Sequence, residues 1–407
     1  MAGVSTYRKN FHAHLSGAWL LILFLSLSPG TSRAGVAGLV GDAPLEAVIL
    51  RSETEAKEEI GRSLAVTGGK ILLVSPHDYL SRVLIPLRKR GVLTDLQVIL
   101  PIEVAFGPDD LEGIRKKLEA EGVPEGDRSS FRWDNTTVSG RIDGMPVSIY
   151  TIPGYPRQEA PRLVVVDTSF FPAVYRNEVT TPMIGLVIRL ARTLTSRNVT
   201  AGKVLILDAL GRADFPLEHG FLPHLLKELL GDPESFSRGL PERWSALAAA
   251  DHAYFFAQYP EAVTQYREYM GLAGRVDPSA CYKVALMTAR DLDAAMALQW
   301  INKAAASDNV YRRAYGEAAE YLFRKELYEQ AESILKGGLE RFPRDPPLAT
   351  ALAALYIQRA EAIRDTGDEP GARAYLQLAS EVEGASPLIK ERLRSLSRPP
   401  GGDRSRE

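Results

Sequence analysis

Two hydrophobic periods divide the chain. From 46 to 232, apolar residues come in short, nearly unbroken runs: Ala47–Leu50, Lys70–Ser75, Leu96–Ile102, Leu163–Asp167 and Val204–Asp208. Runs of Val, Ile and Leu with little alternation predict strands buried on both faces of a parallel sheet. Between them, helical patterns cover Glu53–Thr67, Leu80–Arg90, Asp109–Glu121, Pro182–Thr195 and Leu222–Leu230. Thr181-Pro182 supplies a cap followed by proline at the first helical position. Val138–Ile142 and Val147–Thr151, joined across Asp143-Gly144, predict a β-hairpin inserted between two strand–helix units. The pattern predicts an α/β layered domain, mostly parallel, followed by a Pro- and Gly-rich linker at 231–242.

Beyond the linker, over 243–397, the period changes to that of amphipathic helices, and a longer period lies on top of it. Ala285 and Ala319 are 34 residues apart, as are Ala297 and Ala331. Small residues at that spacing mark close crossings in a helix–turn–helix repeat. Tyr315, Ala318, Ala319 and Leu322 sit on one helix, Ala331, Leu335 and Gly338 on the next, and Pro343 closes the unit. Upstream, Ala285, Ala297, Ile301 and Ala304 fall in the same phase; downstream, Tyr356 and Ala360 precede Ala372, Leu376 and Ala379. The step from Ala331 to Ala372 is 41, seven more than the period. Seven residues are close to two helical turns, so a lengthened helix keeps its buried face on one side. A further pair is expected from Trp244 to Met270, and a capping helix over Ile389–Leu396. These positions resemble the tetratricopeptide repeat (TPR) family. The resemblance implies an all-α stack of three to four helix pairs that binds a protein partner in its inner groove.

In the family register, the groove-facing positions are Tyr282, Lys283, Leu286 and Arg290 in one repeat and Arg313, Glu317, Glu320 and Arg324 in the next. Four cations along one concavity predict a partner that is an acidic peptide segment or a chain terminus.

Charge and targeting signals narrow the setting. The chain carries 49 Lys+Arg against 51 Asp+Glu, a balance that argues against nucleic acid as the main partner. Arg8 and Lys9 precede an apolar stretch from Ala18 to Leu27, and Ser32-Arg33-Ala34 follows. That order reads as a signal peptide over 1–34, with export to the periplasm or outside the cell and a mature chain from Gly35. No later segment has the length of a membrane span. Cys281 is the single cysteine, so no intramolecular disulfide is possible, and its place on a repeat helix marks it as a small core residue. Asn135-Thr136-Thr137 and Asn198-Val199-Thr200 match the glycosylation sequon. Residues 398–407, rich in Pro, Gly and charge, read as a disordered tail.

In a parallel sheet, chemistry belongs at the carboxyl ends of the strands. Those ends read Ser75-Pro76-His77-Asp78-Tyr79, Glu103, Asp167-Thr168-Ser169-Phe170-Phe171 and Asp208. Their order resembles the arginase-like (ureohydrolase) family, in which Asp-x-His-x-Asp and a later Asp-x-Asp hold two metal ions around an attacking hydroxide. The resemblance implies His77 and Asp167 as metal ligands, for Mn or Zn. Ser75 and Tyr79 stand where the family has aspartates, and so does Ser169. Two ligands cannot hold two ions. The expectation is a domain that keeps the fold without catalysis or cofactor; the alternative is a metal-dependent hydrolase whose repeats recruit a partner. Taken singly, Asp78, Asp167 and Asp208 also read as helix or loop caps. His219 and His224, five apart around Pro223, read as solvent-facing. Gly68-Gly69-Lys70 precedes a strand and so is no phosphate loop, and there is no Gly-x-Ser-x-Gly elbow.

Overall fold

The computed structural model describes residues 46–76, 85–102, 106–134, 136–158, 162–175, 183–197, 199, 201, 203–232, 236, 239–291 and 293–396. The proposed leader, the tail, His77, Asp78, Tyr79, Glu103, Thr181, Pro182 and the two sequon asparagines lie outside them.

The first part of the chain runs β1 (Glu46–Leu50), α1 (Glu53–Val66), β2 (Lys70–Val74), α2 (Ile85–Lys89), β3 (Asp95–Ile99), α3 (Pro108–Ala120) and α4 (Glu125–Arg128). It continues through β4 (Arg132–Asp134), β5 (Thr137–Ile142), β6 (Met145–Tyr150), β7 (Leu163–Asp167), α5 (Phe170–Tyr175), α6 (Met183–Ser196), β8 (Lys203–Leu207) and α7 (Leu222–Gly231). The eight strands form one sheet in the order β1-β8-β7-β2-β3-β6-β5-β4. The neighbours from β1 through β6 in that order are parallel, and β5 and β4 add an antiparallel edge. The expected hairpin is present, turning at Asp143 and Gly144 with φ of 50° and 76°. Its second strand pairs in parallel with β3, so the hairpin extends the main sheet and brings β4 with it.

Strand side chains alternate between two cores, as the pleat requires. Ile71, Leu73, Val98 and Val165 face a cluster closed by Ala56, Ile60 and Leu64 of α1, together with Leu87 and Leu118. Leu72, Val74, Val164 and Val166 face the other, with Leu186, Val187 and Leu190 of α6. Helices on both faces explain why these strands are apolar throughout. The start of α1 follows from its sequence: Ser52 and Glu55 form a reciprocal capping box.

The second part is all helix. Four antiparallel pairs follow: α8 (Glu242–Phe255) with α9 (Tyr259–Ala273), α10 (Pro278–Arg290) with α11 (Ala294–Ser307), α12 (Arg313–Arg324) with α13 (Tyr328–Arg341), and α14 (Pro346–Asp365) with α15 (Glu369–Glu381). α16 (Pro387–Leu396) packs on the last pair. α10 packs on α12 and α12 on α14, while α11 packs on α13. The repeat is TPR-like, and the alanine register holds: Ala285, Ala297, Ala319 and Ala331 are all buried. A Cβ on Gly338 would stand 2.9 Å from the Tyr315 ring, which is why the smallest residue occupies that crossing. α14 is the long helix, and Gly367 (φ 87°) turns the chain into α15. The packing does not break between α7 and α8. One hydrophobic cluster runs from Leu72 and Val164 through Phe221 and Trp244 to Leu393.

Candidate functional site

A cleft opens at the strand ends, and one segment of chain joins that edge to the first helices of the repeats. After β8, residues 208–221 make two short 3-10 turns, Ala209–Gly211 and Leu217–His219, before α7 begins. This segment lies against the first helices of three repeats. Trp244 of α8 approaches Phe221 with ring centroids 6.5 Å apart. Lys283 of α10 holds its ammonium 5.1 Å from the Phe221 centroid. Tyr311, just before α12, donates its hydroxyl to the Leu217 carbonyl at 3.0 Å. Arg313 donates to the carbonyls of Arg212 at 2.6 Å and Phe215 at 2.7 Å. At Gly220 any side chain would strike Tyr311, whose hydroxyl would lie 2.1 Å from an added Cβ. The protein therefore lays part of its own chain along the repeat stack, gripped through backbone carbonyls and aromatic rings.

This packing redistributes the eight predicted groove residues. Lys283 is a correction to its expected position: it is 3% exposed, with Nζ 2.6 Å from Asp251 Oδ1 and 5.4 Å from the Tyr266 centroid. Tyr282 is buried and donates to Glu317, which solvent still reaches. Desolvation raises the Glu317 pKa, against lowering by the Tyr282 hydrogen bond and the Arg313 charge. Leu286 is half-buried against the core. Arg313 is committed to the carbonyls described above. Arg324 is exposed and pairs only locally with Glu320 at 2.5 Å, one helical turn away.

Arg290 is different. Its guanidinium lies 5.8 Å from the Tyr254 centroid, 5.2 Å from Tyr259 and 5.9 Å from Tyr321, and it donates to the Tyr259 hydroxyl. Among the described residues it has no carboxylate within ion-pair distance. Phe255 and Phe256, at the α8–α9 turn beside this cradle, are 49% and 55% exposed. Sequence reading missed the cradle because its tyrosines come from α8, α9 and α12, spread over 68 positions.

His219 also departs from expectation. It sits beside Lys283 and Asp251 under the repeats, and burial, then the Lys283 charge, pushes its pKa down to about 3. His224 is lowered as well, chiefly by burial. Cys281 meets its expectation as a core residue: it is fully buried, and desolvation raises its thiol to about 12.

At the other end of the joining segment lies the sheet's carboxyl edge. The chain leaves β2 toward β3 and leaves β7 toward β8, on opposite sides, so β2 and β7 flank the topological switch point. Asp167, at the end of β7, is fully buried there. Its Oδ1 accepts from the Ser169 amide at 2.9 Å and hydroxyl at 2.7 Å; Oδ2 accepts from Ser75 at 3.3 Å and Arg212 at 3.3 Å. For a metal, this donor set fits poorly: a guanidinium already stands at Asp167, and Ser75 and Ser169, two of the three positions where the family carries aspartates, supply hydroxyls. No group of three or more potential metal-ligating side chains occurs among the described residues. Asp208 takes its expected capping role, accepting from the Leu210 amide at 3.0 Å. A cleft of about 360 Å³ opens along this edge between α1 and the ends of β1, β8, β7 and β2.

No protein-family model matches the chain, and no curated protein matches it. Among solved structures, a tetratricopeptide repeat protein from Parabacteroides merdae ATCC 43184 is similar at 14% identity and a TM-score of 0.23. The match covers 56% of this chain and 90% of that one. No helix among the described residues is long and apolar enough to cross a membrane.

Proposed function

We propose that this chain is an exported protein-interaction protein: its repeats hold an acidic segment of another protein, and its α/β region is a non-catalytic support. The observation that carries the reading is Arg290. A guanidinium set among three tyrosines, with no carboxylate at ion-pair distance among the described residues, is primed for an incoming carboxylate, and stacking fixes its fork in advance. Exposed Phe255 and Phe256 next to it offer apolar anchorage of the kind that interface cores use. Arg324 on the neighbouring first helix adds a second cation. Lys283 and Arg313, engaged internally, drop out of the partner site. The non-catalytic role of the α/β region is supported by the engagement of both Asp167 oxygens with Ser75, Ser169 and Arg212.

The test is capture from the exported fraction by the full chain and by an Arg290→Glu/Arg324→Glu variant whose fold is verified by circular dichroism. Capture should be lost in the variant and should weaken with salt in the parent. Equal capture by both proteins would remove the partner from this surface. Export itself is checked by the N-terminal residue of the protein recovered outside the cytoplasm, expected at or near Gly35.

A further inference from the structure

The cleft at the carboxyl edge of the sheet has the build of a ligand site that the repeats do not account for. Its floor is apolar, with Ala56 and Ile60 of α1 on one side and Ile71, Leu73 and Val165 of the sheet on the other. Arg51 stands at its mouth, immediately before the N-terminus of α1. The Arg51 guanidinium is 63% exposed, 3.7 Å from Asp208 Oδ2 and 3.6 Å from Asp308 Oδ2. Both separations exceed a normal hydrogen bond, so its charge is balanced while its donor fork is not engaged by either carboxylate. The deeper carboxylate at the cleft, Asp167, is taken up by Ser75, Ser169 and Arg212.

We propose that this cleft binds a small monocarboxylic acid with an apolar body, the carboxylate on Arg51 and the body against Ile60, Ile71, Leu73 and Val165. The size suits it: about 360 Å³ lies at the small end of the range for ligand pockets. The polarity follows from the split between an apolar floor and a mouth that carries the Arg51 donors. The single negative charge follows from the neighbours. Asp208 and Asp308 flank Arg51, and the Glu55 carboxylate accepts from the Arg51 and Ser52 amides, so a dianion such as phosphate would meet about twice the repulsion that one carboxylate does. Because Asp308 belongs to the repeat region, an acid bound to Arg51 competes with a contact that ties β1 to the repeats.

The experiment is isothermal titration of the full chain with hexanoate, with hexan-1-ol as its uncharged counterpart and with a short peptide ending in a free leucine carboxylate. Hexanoate should bind at one site, and hexan-1-ol about tenfold or more weaker. Arg51→Gln, a change at an exposed side chain, should weaken hexanoate by a similar factor and leave hexan-1-ol unchanged. Ala56→Phe should fill the floor and abolish both. Tighter binding of the peptide than of hexanoate would overturn the assignment to a free acid and give the same carboxylate chemistry to a chain terminus. Absence of hexanoate binding, or equal binding by Arg51→Gln, would overturn the site.

Discussion

Lys283 offers the sharpest test of how the repeats meet the rest of the chain. An exposed groove lysine would contribute about 0–1 kcal/mol to stability. The structure instead buries Lys283 against Asp251, itself only 15% exposed, and between the rings of Phe221 and Tyr266. Lys283→Met keeps most of the volume and removes the charge. It leaves the Asp251 carboxylate with the Tyr266 hydroxyl, 2.6 Å away, as its remaining hydrogen-bond donor among the described residues. Breaking one half of a buried pair costs about 3–5 kcal/mol. The double variant Lys283→Met/Asp251→Asn removes both charges, so its loss should fall short of the summed single losses by about 0.5–3 kcal/mol. Urea unfolding followed by circular dichroism, run as a double-mutant cycle, measures these differences. A loss below about 1 kcal/mol for Lys283→Met would refute the buried pair, and so would strictly additive effects.

Three other outcomes follow from the packing. Ala331→Leu should overpack the crossing of α13 with its neighbours and cost about 1–3 kcal/mol in the same unfolding assay, since Ala331 is fully buried. Gly220→Ala should cost a similar amount through its clash with the Tyr311 hydroxyl, and Tyr311→Phe in the same chain should recover part of it. Acid should weaken the fold through His219. Its folded pKa, about 3, lies below the ordinary 6.5, so its contribution is complete above pH 6.5 and is lost as pH falls from 6.5 toward 3. At pH 5 the loss should be about 2 kcal/mol, and His219→Gln should flatten that slope in a pH series of unfolding midpoints.

Local patterns made much of this architecture readable. The interior strands β8, β7, β2 and β3 announced themselves because a strand covered on both faces is rich in Val, Ile and Leu with little alternation, and Val164, Val165 and Val166 satisfy both cores at once. The alanines at 34-residue spacing gave the repeat register because a close helix crossing admits only small side chains. β4 was not legible: three residues at a sheet edge, with Arg132 and Asp134 exposed, carry almost no apolar signal. The contact of residues 209–221 with the repeats was hidden for another reason. No element was expected there, and the contact is made by carbonyls of Arg212, Phe215 and Leu217, which every sequence possesses. Lys283 and His219 misled for a related reason. Polar side chains read as surface unless their buried partner is known, and here Asp251 lies 32 positions before Lys283. At the cleft, the strand ends mark the edge where it opens, while the open fork of Arg51 emerged only with its distances to Asp208 and Asp308.

The unbroken core between sheet and repeats makes the α/β region a brace laid along the first helices of three pairs. A stack of helix pairs must finish in a polar face at each end to stay in solution. Here α16 packs on the last pair, while at the other end Trp244 of α8 approaches Phe221 within a core shared with the sheet-side helices. Cut at 243, the repeats would begin with a raw apolar face, and a fragment made that way should self-associate. Residues 212–221 and Arg51 fix the first three pairs in place, so growth or loss of repeat units is freer toward the α16 end.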